Sequence, residues 1–250
     1  MNNDINVIAA HADKVLPLAS ACLGEEYYYQ SLPLCIVDAV YSIGVRYEGV
    51  KNVVAQYCAR FDLRRTRSTN GEFPLIHEQE SVSAFCEKAE RIGPANMAVD
   101  VYRNRQRTSA RNGILKADAV YLFAAALRKC DIEYLQDISG AVGNTALERD
   151  IRAIPGQTSG ISLKYFFMLA GSDDLIKPDR MILAFLGEAL GRLVSTSEAQ
   201  DLLTAAVEQL RVNHPNLTPR LLDHEVWKYQ RDQRGPSVIS RSKGVQSSCS

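Results

Sequence analysis

Apolar side chains recur at intervals of three and four residues along most of this chain, and long runs that alternate apolar with polar residues are absent. Such periodicity is typical of amphipathic helices, whereas alternation is typical of strands. The predicted helices are two between residues 34 and 61 with a break near 44–49, then 81–93, 116–129, 131–138, 145–153, 161–170, 179–190, 197–213 and a last one from about 218. We therefore predict an all-α fold.

The composition is that of a globular protein, and the length allows one domain of two lobes or two small domains. The 250 residues contain 29 Lys and Arg against 29 Asp and Glu, and 46% of them are hydrophobic. A chain of this length buries roughly 70–75% of its unfolded surface on folding, which is enough for stability without disulfides. We predict one two-lobed domain over residues 1–234. The tail at 235–250 is rich in Ser, Gly and basic residues, so we predict that it is disordered.

Sequence signals for secretion, membrane spanning and metal binding are missing. No 18 apolar residues run together, and Asp4 stands where a secretion signal has basic residues. The cysteines are scattered, without the short spacings of zinc or iron–sulfur sites; they are Cys22, Cys35, Cys58, Cys86, Cys130 and Cys249. We expect buried thiols, no metal, no cofactor, no membrane association and a cytoplasmic location, at the nucleoid if the chain is bacterial.

Two local clusters of arginine stand out against a net charge of zero. The first consists of Arg60, Arg64, Arg65 and Arg67. The second consists of Arg103, Arg105, Arg107 and Arg111, interleaved with Asn104, Gln106, Thr108, Ser109 and Asn112. Side chains of these types donate hydrogen bonds to phosphate oxygens. The clusters are therefore either contacts to nucleic acid or solvated faces of the protein.

The segment from 151 to 191 has the pattern of a helical hairpin followed by a third helix. One helix ends at a turn that contains Pro155 and Gly156, and the amides that open the next helix can hold a phosphate without side-chain charge. Asp179 then follows Pro178 and opens an amphipathic helix. An aspartate in this position is an ordinary N-cap that stabilises by about 1 kcal/mol. Its second oxygen can at the same time face a substrate.

These segments resemble the helix-hairpin-helix (HhH-GPD) superfamily of DNA glycosylases, in which an L-P-G-x-G hairpin is followed by an apolar helix and a catalytic aspartate. Ile154–Gly156 reads IPG and Lys177–Asp179 reads KPD, in the order and approximate spacing of the family. Gly113–Leu127 looks like the family's helix that begins G-x-x-x-K-A, and Asp38–Val54 looks like its helix-turn-helix. The resemblance implies a two-lobed helical glycosylase fold, with the hairpin and catalytic segment at about 145–191.

The resemblance also implies roles for single residues. Asp179 would be catalytic, because a carboxylate can stabilise a cation-like sugar and orient a water molecule. The hairpin would bind DNA through Gly156, Thr158, Ser159 and Gly160, and we add Arg103, Arg105 and Arg107 as phosphate contacts. A flipped base needs a pocket, and the space it leaves needs a wedge; the candidates are Tyr41, Ser42, Gly44, Arg46, Tyr47, Phe166 and Trp227. Asp223 and His224 are adjacent on one helix and do not face each other, so we assign them to structure.

Departures from the family pattern define the expected reaction type. Thr158 replaces the second hairpin glycine, and the loop that carries a gap-filling glutamine in the family reads Ser42-Ile43-Gly44. The lysine that attacks the sugar in bifunctional members corresponds to Gly160, and Lys164 lies one helical turn further on, displaced by about 5–6 Å. The chain also lacks cluster cysteines near its C-terminus. It is therefore most similar to the alkylbase branch, which implies hydrolysis by water.

We predict a monofunctional DNA glycosylase that flips and excises a modified, damaged or mispaired base from double-stranded DNA. The product would be an abasic site in an unbroken strand. The expected enzyme is a monomer that acts in DNA repair or in defence against phage DNA with modified bases. Two alternatives stay open: a noncatalytic helix-hairpin-helix DNA-binding protein, and a helical protein–protein module in which Asp179 is only a cap.

Overall fold

The computed structural model describes residues 2–45, 47–68 and 72–233. Within these ranges every regular element is a helix, and the β-type pairs are two isolated bridges, Tyr29 with Thr66 and Arg107 with Leu115. The predicted all-α class is confirmed. Three predictions fall outside the described residues, namely the wedge candidate Arg46, the thiol of Cys249 and the tail at 235–250.

Twelve α-helices lie in the described part of the chain. They are α1 (Asn2–Val15), α2 (Leu32–Tyr41), α3 (Tyr47–Phe61), α4 (Val82–Ile92), α5 (Pro94–Asn96), α6 (Lys116–Lys129), α7 (Ile138–Ala141), α8 (Thr145–Arg152), α9 (Ile161–Ala170), α10 (Arg180–Leu190), α11 (Thr196–Leu210) and α12 (Pro219–Gln233). A π-helical turn, Met97–Val101, follows α5. None of the described helices is long and apolar enough to cross a membrane.

Most of the predicted helices are observed with small shifts at their ends. The predictions at 116–129 and 161–170 match α6 and α9, and the predicted break near 44–49 separates α2 from α3. The helix predicted at 131–138 is wrong, because a 3-10 turn and the short α7 stand in its place. Asp131 has a left-handed backbone with φ 56°, which a right-handed helix cannot contain. The apolar pattern does not predict α1.

Polar side chains fix where several helices begin. Ser81, Asn144 and Ser195 each accept a hydrogen bond from an amide in the first turn of α4, α8 and α11. Asp179 does the same for α10. These caps satisfy amides that have no partner inside the helix. The carboxylate of Asp179 is therefore fixed relative to the axis of α10.

The larger of two hydrophobic cores is built around α2, whose residues are all buried. Helix α2 packs against α3, α6 and α9, and α4 packs against α6. Buried side chains between residues 27 and 170 form this core. The second helix of the hairpin, α9, is therefore anchored in the larger core.

The second core joins the two ends of the described chain. Helix α1 packs against α10 and α11, and α10 packs against α12. Its buried side chains come from residues 8–18 and 176–226 and include the fully buried Phe185 and Leu203. The chain passes from the larger core to this one between Ala170 and Ile176. The turn that carries Lys177 and Asp179 therefore lies where the two cores meet.

Candidate functional site

Asp179 lies at this junction as the N-cap of α10. Its Oδ1 accepts hydrogen bonds from the amides of Met181, at 2.7 Å, and Ile182, at 3.5 Å. Its Oδ2 has no hydrogen-bond partner among the described residues, and the side chain is half-buried. One oxygen thus caps the helix, while the other is free to contact a ligand.

Lys177 connects the same turn to the larger core. Its ammonium group donates to Ser42 Oγ at 3.0 Å and lies 3.7 Å from the centre of the Tyr165 ring. Its backbone amide donates to Asp223 Oδ1 at 2.8 Å. Burial lowers the pKa of the Lys177 amine, and nearby carboxylates oppose that shift, with Asp179 contributing most. Ser42, a predicted wedge residue, is thereby held beside the turn of the catalytic candidate.

Two buried carboxylates share the surroundings of Lys177 with Asp179. Asp38, on α2, is fully buried, and its Oδ2 accepts a hydrogen bond from the Tyr29 hydroxyl at 2.7 Å. Burial raises the pKa of Asp38 to about 6 although this hydrogen bond opposes the shift. Burial likewise raises the pKa of Asp223 to about 8. We call Asp38, Ser42, Tyr165, Lys177, Asp179 and Asp223 the junction cluster.

An aromatic cluster of Tyr27, Tyr47, His224 and Trp227 lies beside the junction cluster. The Tyr47 ring stacks on Tyr27 at 5.6 Å and contacts Trp227 edge-on at 5.8 Å. His224 lies 4.9 Å from Tyr27 and 6.1 Å from Trp227. Burial lowers the pKa of His224 to about 4, so the imidazole is neutral near pH 7. Two predicted pocket residues, Tyr47 and Trp227, are thus brought together with half-buried rings.

The other two aromatic pocket candidates belong to the larger core. Phe166 has no exposed surface and packs against Phe123 and Phe167. Tyr41 is 1% exposed and contacts the Tyr102 ring edge-on at 5.4 Å. Both rings belong to the larger core, in which α2 packs against α6 and α9. Phe166 therefore cannot line a base pocket without repacking of the core.

The predicted wedge residues Ser42 and Gly44 lie in the turn between α2 and α3. The Lys116 ammonium group donates to the carbonyls of Tyr41, at 2.9 Å, and Ile43, at 2.8 Å, and so satisfies the end of α2. Burial lowers the pKa of Lys116 to about 8. Gly44 is exposed, has a left-handed backbone with φ 71°, and no atom lies within 4 Å of where its Cβ would be. Lys116 therefore stabilises the start of the turn, while Gly44 is exposed to solvent.

The hairpin turn packs against the second arginine cluster. Gly156 has φ 87°, and a Cβ there would lie 2.5 Å from the Cβ of Thr108. Only glycine permits this approach together with this backbone conformation. The structure therefore places two segments side by side that the sequence separately predicts to bind DNA.

The amides of the hairpin differ in their availability. Those of Gly156, Thr158 and Ser159 have no hydrogen-bond partner among the described residues. The amide of Gly160 donates to the carbonyl of Gln157 at 2.9 Å. Gly160, predicted to hold phosphate, therefore has its amide engaged inside the turn, and the other three remain available.

The segment from 103 to 107 carries cations without partners. Arg103 and Arg105 are exposed, and neither guanidinium has a hydrogen-bond or ion-pair partner among the described residues. Arg107 differs, because its Nη1 donates to the carbonyl of Gly113 at 2.6 Å. Two of the three predicted phosphate contacts are thus free, and the third stabilises the segment.

The first arginine cluster does not form one surface. Arg67 is 7% exposed, and its guanidinium lies 4.7 Å from the centre of the Phe73 ring. Arg64 Nε donates to the carbonyl of Thr66 at 2.8 Å. These contacts tie down the segment after α3, so a structural role accounts for much of this cluster.

Cysteines and other metal-binding side chains are dispersed. Within the described ranges, no group of three or more His, Cys, Asp or Glu side chains could hold a metal ion. Cys35, Cys58 and Cys86 are buried as predicted, whereas Cys130 is half-buried and Cys22 is exposed. Burial raises the pKa of Cys35 to about 12, which makes this thiol unreactive.

The sequence reasoning missed three members of the junction cluster, Asp38, Tyr165 and Lys177. Asp38 is the single charged residue in the buried helix LPLCIVDAVY, which is a usable signal, because a charge inside an apolar run needs a partner. The contact of Lys177 with Ser42 joins residues 135 positions apart. No local pattern predicts such a contact.

One protein family matches the stretch that contains the junction cluster, the aromatic cluster, the hairpin and the segment from 103 to 107, which we call the arginine segment. A family model described as a domain of unknown function, DUF8548, matches residues 6–231. The chain belongs to this family. No curated protein and no solved structure matches it.

Proposed function

We propose that this member of the DUF8548 family is a monofunctional DNA glycosylase that removes a modified, damaged or mispaired base. The observation that carries the proposal is the free Oδ2 of Asp179 at the junction of the two cores, where Lys177 holds the Ser42 turn close by. The preceding hairpin and apolar helix stand in the order known from helix-hairpin-helix glycosylases. We propose the two-lobed arrangement of that superfamily for the two cores.

In the proposed reaction, the bond between C1′ of the deoxyribose and the base nitrogen breaks, and the base leaves with the bonding electrons. The sugar becomes a cation, which the Asp179 carboxylate stabilises. The oxygen of a water molecule then forms a bond to C1′ and releases a proton, which balances the charge of the departing base. Asp179 is half-buried, which reduces screening of its charge by solvent.

The aromatic cluster is the proposed wall of the base pocket. A target base must leave the stack before its glycosidic bond can be reached, and aromatic rings compensate for part of the lost stacking. Tyr47 and Trp227 are half-buried and contact each other, and Tyr47 lies near enough to Asp38 of the junction cluster for the two to interact electrostatically.

The hairpin and the arginine segment are the proposed DNA-binding surface. The free amides of Gly156, Thr158 and Ser159 suit a phosphate, and the unpaired Arg103 and Arg105 suit its neighbours along the strand. Contact between Gly156 and Thr108 keeps the two parts together. Such contacts position DNA without reading its sequence.

Water is the proposed nucleophile because the hairpin has no amine at the expected position. Gly160 stands there, and its Cβ position would lie 2.8 Å from Arg152 Nη2, a guanidinium nitrogen that cannot act as a nucleophile when protonated. The expected product is an abasic site in an unbroken strand.

A noncatalytic DNA-binding protein is the second candidate, and one observation favours it. Asp179 already serves as a helix cap, which accounts for a carboxylate at this position without catalysis. In a protein–protein module, the third alternative, neither the hairpin amides nor Arg103 and Arg105 would contact DNA.

The test is abasic-site formation by the purified full chain on duplexes that carry alkylated, oxidised, deaminated, mispaired or phage-type modified bases. Abasic sites are detected as breaks after alkali, and free base is detected by mass spectrometry. The proposal expects release of at least one base. Binding to duplex DNA without release from any substrate would favour the noncatalytic alternative, and failure to bind at low salt would favour the protein module.

A further inference from the structure

A groove of about 360 Å³ lies beside the turn that joins α2 to α3. Ser42 bonds to Lys177 on one side, whereas Gly44 and Val45 line the groove on the other. The start of α3 and the arginine segment form the remaining walls. Two of the predicted pocket or wedge residues, Tyr41 and Gly44, line this groove, whereas Asp179, Tyr47 and Trp227 do not.

Two residues with side-chain amides, Asn104 and Gln106, line the groove. Asn104 Oδ1 accepts from the Gln106 backbone amide at 2.9 Å, which leaves the Asn104 NH₂ group without a partner among the described residues. The Gln106 side-chain amide has no hydrogen bond to any described residue, so it offers both a donor and an acceptor. Donor and acceptor pairs of this kind match the edges of nucleobases, and that of adenine in particular.

The backbone that carries these amides is fixed in place. The Asn104 amide donates to the carbonyl of Ala98, and the Gln106 carbonyl accepts from the amide of Lys116, both at 2.8 Å. A fixed backbone lowers the entropy lost when a ligand binds. The two amides are therefore preorganised.

The opposite side of the groove is apolar and open. Val50 and the ring of Tyr41 are buried beneath it, at 1% exposure each. No atom of the described residues lies within 4 Å of the Cβ positions of Gly44 and Gly49, which leaves room for a planar group. The Tyr41 hydroxyl is buried without a hydrogen-bond partner among the described residues. The groove combines an apolar floor with polar groups at one edge, as small planar ligands require.

Cations alternate with the amides along the chain. Asn104 and Gln106 line the groove, whereas Arg103 and Arg105 are exposed and do not. A nucleotide strand has the same arrangement, with bases on one side and charged phosphates on the other. The segment therefore fits a nucleotide better than a free, uncharged planar molecule.

We propose that this groove binds an unpaired nucleobase, namely the base that loses its partner when the target is flipped toward Asp179. The inference rests on the proposed glycosylase function, which supplies the unpaired base. Gln106 accepts from and donates to the exposed edge of that base, and the Asn104 NH₂ group donates to it. Adenine is the preferred occupant, because its N6 and N7 match the Gln106 amide. The enzyme would thus act on lesions opposite a particular base.

The test uses duplexes with a tetrahydrofuran residue, an abasic analogue without a base to excise, opposite A, C, G or T. Affinity is measured by fluorescence anisotropy for the full chain, for Asn104→Ala/Gln106→Ala and for Arg105→Gln. The wild type should bind the duplex with adenine about tenfold more tightly than the weakest of the four. The double variant should bind all four within about twofold. Arg105→Gln should weaken binding to all four equally, because phosphate contacts do not read sequence.

Equal wild-type affinity for the four duplexes would overturn the inference, and so would base discrimination that survives in the double variant. Gln106→Ala alone is a second test, because a change at this exposed position should leave the fold intact. This variant should lose most of the discrimination among the four bases. If the protein discriminates among the four bases but forms no abasic site on any substrate, the proposed base binding by the groove is supported and the proposed glycosylase activity is contradicted. No binding to any duplex at low salt would overturn both.

Discussion

The arginine segment and the junction cluster both carry basic side chains, but under opposite conditions. Arg103 and Arg105 are exposed and have no partner among the described residues, whereas the Lys177 amine is hydrogen-bonded to Ser42 and surrounded by carboxylates. An exposed cation can exchange its counterions for phosphate, whereas the charge of a neutralised one is not available. The net charge of zero is therefore an average over regions with different properties. The arginine segment has positive charge available for a polyanion, whereas Lys177 in the junction cluster holds neighbouring side chains in position.

The largest effect on this contrast is expected from Arg103→Gln/Arg105→Gln. Removal of two cations that bind phosphate should weaken DNA affinity about 100-fold at low salt. The slope of log affinity against log salt should fall by roughly 0.9 for each phosphate that the variant no longer neutralises. Adding Arg107→Gln should lower the slope by less than either of the other two changes, because Arg107 Nη1 is already held by the carbonyl of Gly113, although the side chain keeps its charge.

Arg91→Gln is the matched control, since Arg91 is exposed and unpaired within the described part of the chain but lies on α4. Its salt slope should equal that of the wild type. If the double variant has the same slope as the wild type, Arg103 and Arg105 do not contact phosphate, and the arginine segment is an ordinary solvated surface.

A smaller effect is expected from Gly156→Val, which separates the hairpin from Thr108. The new side chain would meet Thr108 at 2.5 Å from a backbone with φ 87°. DNA affinity should fall about tenfold for every sequence alike, as backbone contacts carry no base information. Gly143→Val is the control, because Gly143 has a similar φ of 82° but open space around its Cβ position. Equal affinity losses in both variants would mean that backbone strain, and not the hairpin contact, is responsible.

A still smaller effect concerns stability, and it arises from Asp223. Its folded pKa is about 8, above the unfolded value, so the folded chain holds a proton there that the unfolded chain has lost between about pH 4 and 8. This group's contribution therefore makes stability fall as pH rises through that range. Asp223→Asn keeps an oxygen for the Lys177 amide and should remove part of the fall, on the order of 1 kcal/mol.

The measurement is urea unfolding from pH 5 to 8, with the exposed Asp201→Asn as control. Asp38, with its pKa of about 6, contributes in the same direction in every variant. The difference between the two asparagine variants therefore reports on Asp223. Identical pH dependence in wild type and Asp223→Asn would contradict the raised pKa.

No effect at all is expected from borohydride. An imine needs an amine at the sugar, and Gly160 stands at the hairpin position that would carry it if the resemblance to bifunctional helix-hairpin-helix glycosylases holds. No covalent complex with abasic DNA should be trapped. A trapped complex that survives in Lys164→Ala but disappears in Lys177→Met would show that the junction amine attacks the sugar. A complex that disappears in Lys164→Ala would assign the attack to Lys164.

The sequence was sufficient to predict helices whose signals are local. Apolar periodicity predicted α6 and α9, and the Pro178-Asp179 pair predicted the start of α10. The helix predicted at 131–138 failed because periodicity does not report the left-handed conformation of Asp131. Within the candidate site, Asp179 was predictable because its cap is local. The surroundings of Lys177 were not, because they join α2, the turn before α10 and α12.

The sequence also could not predict which aromatic side chains are buried. Tyr47 and Phe166 are both aromatic residues on helices, and the sequence offered no reason to separate them. Phe166 packs against Phe123 of α6 in the core, while Tyr47 stays half-buried at the first turn of α3. Which aromatic residues remain reachable by a base is decided by helix packing.

The most direct test of the proposed catalytic role is single-turnover base excision by Asp179→Asn at saturating protein, on a duplex that the wild type processes. The asparagine oxygen can still cap α10, so DNA affinity and melting temperature should stay near those of the wild type. Excision should slow by about 100-fold or more, because a neutral amide does not stabilise the sugar cation. Ser195→Ala, which removes the N-cap of α11, should excise at the wild-type rate. Wild-type excision by Asp179→Asn would contradict the assignment of this carboxylate to catalysis.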